Sequence, residues 1–198
     1  MSEFDRSLEA GIKGEELVKA WLRCSGYTVV SDFSSSQPFT GPRIYSPEGT
    51  IVQPDLLVTK QDTIPTRTEQ SMTLFWVEVK SKSVFSCHRK SQTWTTGMDL
   101  RSYVHYLGVT AAMGWDMMIV FVHLDKEPSQ DAKNYYTDPW PCPTGIFWQW
   151  LHYLGDLESH RWGDKMVYWP VSAFTEDVPM KTLFELKQQM DAKDRQQA

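Results

Sequence analysis

The apolar positions of this chain change period along its length, and the changes mark out its elements. Over Phe4–Arg23, Leu8, Ile12, Glu15, Val18 and Leu22 recur at about 100° per residue. That spacing predicts a helix with Glu15 inside its apolar stripe and Glu16 at the edge. Leu17 and Trp21 form a second strip, so the helix is expected to be covered on two sides. Gly11 and Gly14 each cost a helix about 1 kcal/mol relative to alanine, which close packing there would offset. Gly26 ends the helix and Tyr27–Val30 begins a strand.

Ser31–Tyr45 is rich in Ser, Pro and Gly and predicts a surface loop, and Ser46-Pro47-Glu48-Gly49 is a turn signal. Thr50–Lys60 predicts a strand, Gln61–Ser71 a polar connection, and Met72–Lys82 the clearest strand of the chain. Ser83–Gly97 predicts a polar, basic loop. Asp99–Met113 has helical spacing with Leu100, Val104, Leu107 and Ala111 on one face, and Gly114 ends it. Met117–His123 is a short apolar run, the mark of a buried strand. Strand, helix, strand in that order predicts a right-handed parallel crossover. Beyond it the chain is crowded with aromatics from Tyr135 to Trp169, which predicts core packing or a dimer interface, with base stacking as the alternative. Met166–Phe174 adds one more strand and Lys181–Met190 a terminal amphipathic helix. The sum is an α/β fold: one domain over residues 1–198, with a central mixed β-sheet flanked by helices. Its α-β-β-β-α-β core covers about residues 4–124, and an aromatic-rich C-terminal extension about 125–198.

Composition narrows the picture. A chain of 198 residues can bury a full core. A net charge of −5 excludes a general polycationic nucleic-acid binder but leaves room for a local basic patch. The three cysteines form no CxxC pair, which predicts free thiols in a reducing cytoplasm; a Cys87-His88-Cys142 zinc site is the alternative. Met1–Glu16 has no apolar leader, and the longest apolar run, Met117–Val122, is far short of the roughly 20 residues that span a bilayer. A soluble cytoplasmic protein with no membrane partner is expected.

Strand alternation puts Trp76, Glu78 and Lys80 on one face and Phe75, Val77 and Val79 on the other. A carboxylate and an ammonium in so apolar a strand need each other or an ion. An i, i+2 salt bridge is the plain alternative. Asp55 follows Pro54, which marks a strand start, an edge or a bulge. The chain between Asp55 and Glu78 is long enough to turn back and pair the two strands antiparallel. Two carboxylates about 4 Å apart repel by about 4 kcal/mol at an intermediate dielectric. A hard divalent ion removes that conflict, and Mg²⁺ is commonly held by one or two carboxylates plus water. Asp55, Glu78 and the Val79 carbonyl would be its ligands. Glu15 could support a water of the ion or a second ion, or else pair with a basic residue.

Gly14-Glu15-Glu16 with Gly26-Tyr27, then Pro54-Asp55, then Glu78-Val79-Lys80, resemble in order and spacing the motifs of the PD-(D/E)XK nuclease superfamily. This is the restriction-endonuclease-like fold, here similar to Holliday-junction-resolvase-type nucleases. The resemblance covers about residues 8–124 and is silent on the C-terminal part. It implies a Mg²⁺-dependent nuclease, with Mn²⁺ able to substitute, that hydrolyses phosphodiester bonds of DNA by an activated water. It implies Asp55 and Glu78 as metal ligands, Lys80 as catalytic lysine and Glu15 as accessory carboxylate. It also places Thr96 and Arg101, in the segment Thr95–Arg101, near substrate, and homodimers are common among similar nucleases.

From Val79 to Met98 there is no acidic residue, while Lys80, Lys82, Arg89 and Lys90 supply positive charge, with His88 beside them. That predicts a phosphate-tracking loop, with Trp94 and Phe85 as stacking faces; an ordinary solvated loop is the alternative. The rival functions are an RNA nuclease and a non-cleaving nucleic-acid-binding or assembly subunit with a nuclease-like fold.

Overall fold

A computed structural model describes residues 3–33, 43–46, 49–52, 54–62, 71–82, 85–88, 93–124, 144–156, 160–162 and 165–178, with Thr182, Phe184, Glu185, Gln188 and Ala192 beyond them. Helix α1 (Glu3–Cys24) leads into β1 (Tyr27–Asp32). A hairpin of β2 (Arg43–Ser46) and β3 (Gly49–Val52) precedes β4 (Leu56–Asp62) and β5 (Ser71–Lys82). Then come β6 (Ser86–His88), β7 (Thr93–Asp99), α2 (Leu100–Met113) and β8 (Met117–His123). The C-terminal part holds β9 (Gly145–Trp150), α3 (Leu151–Asp156), β10 (His160–Trp162), β11 (Met166–Pro170) and β12 (Thr175–Val178).

Six strands form the central mixed sheet in the order β1-β4-β5-β8-β9-β12. Its β5–β8 pair is parallel, and its other pairs are antiparallel. Helix α2 makes the crossover from β5 to β8, so the expected α-β-β-β-α-β order is present, with two insertions. One is the β2–β3 hairpin. The other, β6–β7, belongs to a second sheet of order β10-β11-β7-β6. The aromatic C-terminal part is built into both sheets, because β9 and β12 widen the central one and β11 pairs with β7.

The sheet has an apolar layer on each side. Leu17, Val18, Trp21 and Leu22 of α1 pack on Leu56, Val58, Phe75, Val77, Val79, Met118, Val120 and Val122. The opposite layer joins Trp76, Tyr106, Val109, Met117, Ile119, Phe121, Phe147 and Trp169. Alternate residues of β8 go to opposite layers, which is why its sequence is apolar without a break. Lys19 ties α1 to the end of β1 through Asp32, at 2.7 Å.

Both helices bury a different arc from the one their sequences predict. In α1, Leu8 and Ile12 are exposed (43% and 54%), and the covered arc runs through Gly14, Leu17, Val18, Trp21 and Leu22. This happens because the sheet meets only the C-terminal half of the helix, and Glu15 is left at the margin of contact. In α2, Tyr106 and Val109 are buried while Val104 and Leu107 face outward. The close approach expected at a helix glycine occurs at Gly14, where a Cβ would lie 1.8 Å from Ser81 Oγ, and not at Gly11, which has nothing within 4 Å.

Three further expectations change. Thr50–Lys60 is not one strand, because Pro54, which has no N–H for a ladder, separates β3 from β4. Ser83–Gly97 is not simply a loop, because Ser86–His88 and Thr93–Asp99 pair as strands. The loop expected over Ser31–Tyr45 starts later, since Ser31 and Asp32 end β1, and it gives way to β2 at Arg43; residues 34–42, with Pro47 and Glu48 of the turn, lie outside the described residues. So do residues 63–70 of the polar connection. Thr182, Phe184, Glu185, Gln188 and Ala192 are helical, in keeping with a terminal helix, and Phe184 packs beneath α1 with Lys13 over its ring at 4.9 Å. No helix among the described residues is long and apolar enough to cross a membrane.

Candidate active site

The antiparallel return of β4 to β5 builds the site. Register pairs run to Leu56 opposite Val77, so Asp55 sits one step further on, beside Glu78. Pro54 and Asp55 lie where the β4 ladder has lapsed, and the Asp55 side chain takes over: its Oδ2 accepts the Val79 N–H at 2.8 Å. The Asp55 carbonyl accepts the Phe33 N–H, also at 2.8 Å. Asp55 is thereby fixed from both neighbouring strands.

Glu78 projects from the α2 side of β5 and is 3% exposed. Lys80, two residues on, donates to its Oε1 at 2.6 Å. The i, i+2 salt bridge is therefore real, and it sits beside Asp55 inside one cluster. Tyr106, from the buried arc of α2, donates its hydroxyl to the same Oε1 at 2.5 Å and lies 3.4 Å from the Lys80 ammonium.

Burial, then the charge of Glu78, and more weakly that of Glu15, push the Asp55 carboxyl well above the usual carboxylate range, against the pull of Lys80 and the Val79 N–H. Burial works against the Lys80 ammonium, but Glu78 and Asp55 outweigh it and hold its pKa above the ordinary lysine value. Lys80 is therefore a fixed positive charge at neutral pH and no proton acceptor. Burial and Glu78 push the Tyr106 phenol upward, so it stays protonated and acts as a donor.

The strain on Asp55 has a measurable consequence. Its folded pKa exceeds the unfolded value of about 3.9, so between these two values the folded state holds more protons, and its stability falls as pH rises through that window. Asp55→Asn keeps an acceptor for the Val79 N–H and removes the charge. In EDTA at neutral pH it is expected to melt a few degrees above wild type, since each kcal/mol shifts Tm by about 2–4 °C in a chain of this size. The gap should close as pH falls toward about 4. Melting curves taken across pH check this, and equal Tm values at pH 7 would contradict it.

The other predicted residues divide. Glu15 is half-buried and close enough to act on Asp55 electrostatically. Among the described residues, no three His, Cys, Asp or Glu side chains are grouped to hold one metal ion. Lys82 is half-buried, and burial together with Lys80 lowers its pKa. His88 is half-buried on β6, and Arg101 is exposed in the first turn of α2. Arg89, Lys90 and Cys142 lie outside the described residues. Trp94 and Thr96, expected near a nucleic acid, are 7% and 3% exposed and packed within the second sheet. Phe85 is likewise core, stacked on His123 at 3.6 Å. His123 Nε2 lies 3.1 Å from Thr96 Oγ1, and burial followed by Lys82 pulls its pKa down to about 3, so it is a neutral core residue.

Two residues near the cluster were missed by sequence reasoning. Tyr106 lies outside the face picked by helical spacing. Asp99 caps α2 by accepting the Ser102 N–H at 3.1 Å, and its charge reaches both Lys80 and Tyr106. An acid directly before a helix was a legible cap signal, but its nearness to Lys80 is a tertiary fact.

The donor set fits a hard divalent cation. It offers carboxylate oxygens of like charge, one of them forced toward its neutral form, and two acids suit an ion that keeps much of its water. The fold and site together define a class: a mixed α/β protein with two acids and a lysine gathered at the junction of two central strands. No family model matches the chain, and no curated protein matches its sequence. A solved structure similar to it is Hjc from Archaeoglobus fulgidus, a Holliday junction resolvase from an archaeal hyperthermophile. It shares 12% identity with this chain at a TM-score of 0.43, over 83% of this chain and 91% of that one. At that level of likeness nothing about activity passes from one protein to the other.

Proposed function

We propose that this chain is a divalent-metal-dependent nuclease that hydrolyses phosphodiester bonds in DNA, with Mg²⁺ as its natural ion and Mn²⁺ as a substitute. The observation that carries this reading is the meeting of Asp55, Glu78 and Lys80 at one point of the β4–β5 junction. Asp55, Glu78 and the Val79 carbonyl would hold the ion, with Glu15 adding negative charge from further out. Bound there, a divalent ion supplies Lewis-acid chemistry to a water and to the phosphoryl oxygens.

The chain's own residues do the rest. Asp55 is held in place by the Val79 N–H, and Glu78 by Lys80 and Tyr106, so both acids are set before any ligand arrives. Lys80 carries a lasting positive charge that stabilises negative charge developing on the phosphate. Lys82, Arg89 and Lys90, with His88 beside them, supply the local positive stretch that would track the backbone of a polyanion in an otherwise acidic chain, and Arg101 would add to it from the first turn of α2.

The test incubates the protein with supercoiled plasmid, branched DNA and RNA, each in Mg²⁺, Mn²⁺ or EDTA, beside Asp55→Ala. Cleavage of DNA in either metal, lost in EDTA and in the variant, is the expected result. Cleavage that survives EDTA would overturn it. Binding without cleavage in every metal would make the chain a non-cleaving binder, and cleavage confined to RNA would change the substrate.

A further inference from the structure

We infer that Tyr106 is a positioning residue for Glu78: its hydroxyl pins one carboxylate oxygen and leaves the other for the cation. The inference rests on the metal-dependent reading above.

Both donors to Glu78 converge on a single atom. Tyr106 and Lys80 each bond Oε1, and Oε2 makes no hydrogen bond among the described residues. A carboxylate has two oxygens and about four acceptor positions. One oxygen saturated by two donors and the other left open fixes the group's rotation about its terminal bond. It also fixes which oxygen is available.

The two donors differ in rigidity. The Tyr106 ring is 5% exposed and packed in the core layer beneath α2, so its hydroxyl has a set position. Lys80 has a flexible four-carbon stem, and its side chain is 28% exposed. When Lys80 turns toward a phosphate, Tyr106 is the donor that remains. The tyrosine thus keeps Glu78 aimed during the interval in which the lysine is engaged elsewhere. Partners of this kind hold ligand side chains in the orientation a metal needs, and their loss commonly weakens metal binding by about 10–100-fold.

The experiment measures Mn²⁺ binding to the DNA-free protein by electron paramagnetic resonance of the free ion, for wild type, Tyr106→Phe and Asp55→Asn. Phenylalanine keeps the ring and removes only the hydroxyl. The expected result is a Kd for Mn²⁺ about tenfold weaker in Tyr106→Phe, with kcat reduced and KM for DNA unchanged. Wild-type Mn²⁺ affinity in Tyr106→Phe overturns the inference, whether or not the melting temperature falls. That outcome leaves the metal site standing. If wild type binds no Mn²⁺, or Asp55→Asn binds it as well as wild type does, the metal reading and this inference fail together. Should Tyr106→Phe not fold, 3-fluorotyrosine at position 106 of the otherwise unchanged chain gives a second measure. Its ¹⁹F signal must shift on adding Mg²⁺, and a signal that stays still overturns the inference.

Discussion

Glu78→Gln is expected to lower DNA cleavage by at least about a hundredfold while leaving the protein folded. The size follows from what is removed: a divalent ion contributes several kcal/mol to stabilising charge in phosphoryl chemistry, and each 1.36 kcal/mol is a factor of ten. The fold persists because glutamine has nearly the same volume and keeps an oxygen where Lys80 and Tyr106 both donate to Oε1. The charge that raises the Asp55 pKa is also gone, but so is the main counter-charge of the Lys80 ammonium, so the melting temperature in EDTA should fall by a few degrees. Initial rates of plasmid nicking at saturating Mg²⁺, beside a thermal melt, check both halves. A rate within tenfold of wild type would show that Glu78 is only the lysine's salt-bridge partner.

Gly97→Ala should have the largest effect on stability. Gly97 lies opposite Tyr168 in the β7–β11 ladder. A Cβ added to it would sit 2.1 Å from the Val167 carbonyl oxygen and 3.0 Å from the Tyr168 Cα. Those are backbone atoms and cannot rotate away, so the two strands must separate. Overpacking of this kind costs about 3 kcal/mol, which in a chain of this size lowers Tm by about 6–12 °C. Gly14→Ala is the useful contrast. Its nearest obstacle is the Ser81 hydroxyl, at the end of a side chain that can turn, so its penalty should be smaller. Differential scanning calorimetry of the two variants ranks them. A Gly97→Ala melt within about 2 °C of wild type would mean that β7 and β11 are less closely joined than described. Because β7 runs directly into the cap of α2, which carries Tyr106, lost activity should accompany lost stability.

How far the site was legible depended on whether its signal was local. Pro54 marked Asp55 as a strand start, an edge or a bulge because proline has no N–H for a ladder, and the break between β3 and β4 makes it a strand start. Glu78 and Lys80 could be placed on one face because strand side chains alternate. Their meeting follows from a short antiparallel return, and the structure contains it. Tyr106 was not legible, since helical spacing alone cannot say which arc of α2 meets the sheet. The same blindness put Val104 and Leu107 inside when they are outside, and Leu8 and Ile12 with them. Trp94 stood out as an aromatic in a basic stretch and Thr96 through the family resemblance, yet pairing of β7 with β6 and β11 builds them into a second sheet where they are buried. Polarity along a segment says nothing of a second sheet that closes over it.

By itself the chain's pattern determined the elements of the core, their order, and the pairing of Asp55 with Glu78 and Lys80, because periodicity, breakers and short returns act over neighbouring residues. Only the tertiary structure decided which helix faces are covered and that the aromatic C-terminal segment widens the central sheet. It alone gave Glu78 a tyrosine partner from α2 and left Glu15 half-buried at the margin of the contact between α1 and the sheet. Those outcomes depend on surfaces distant in sequence meeting one another, and a hydrophobic residue is buried only where some other element arrives to cover it.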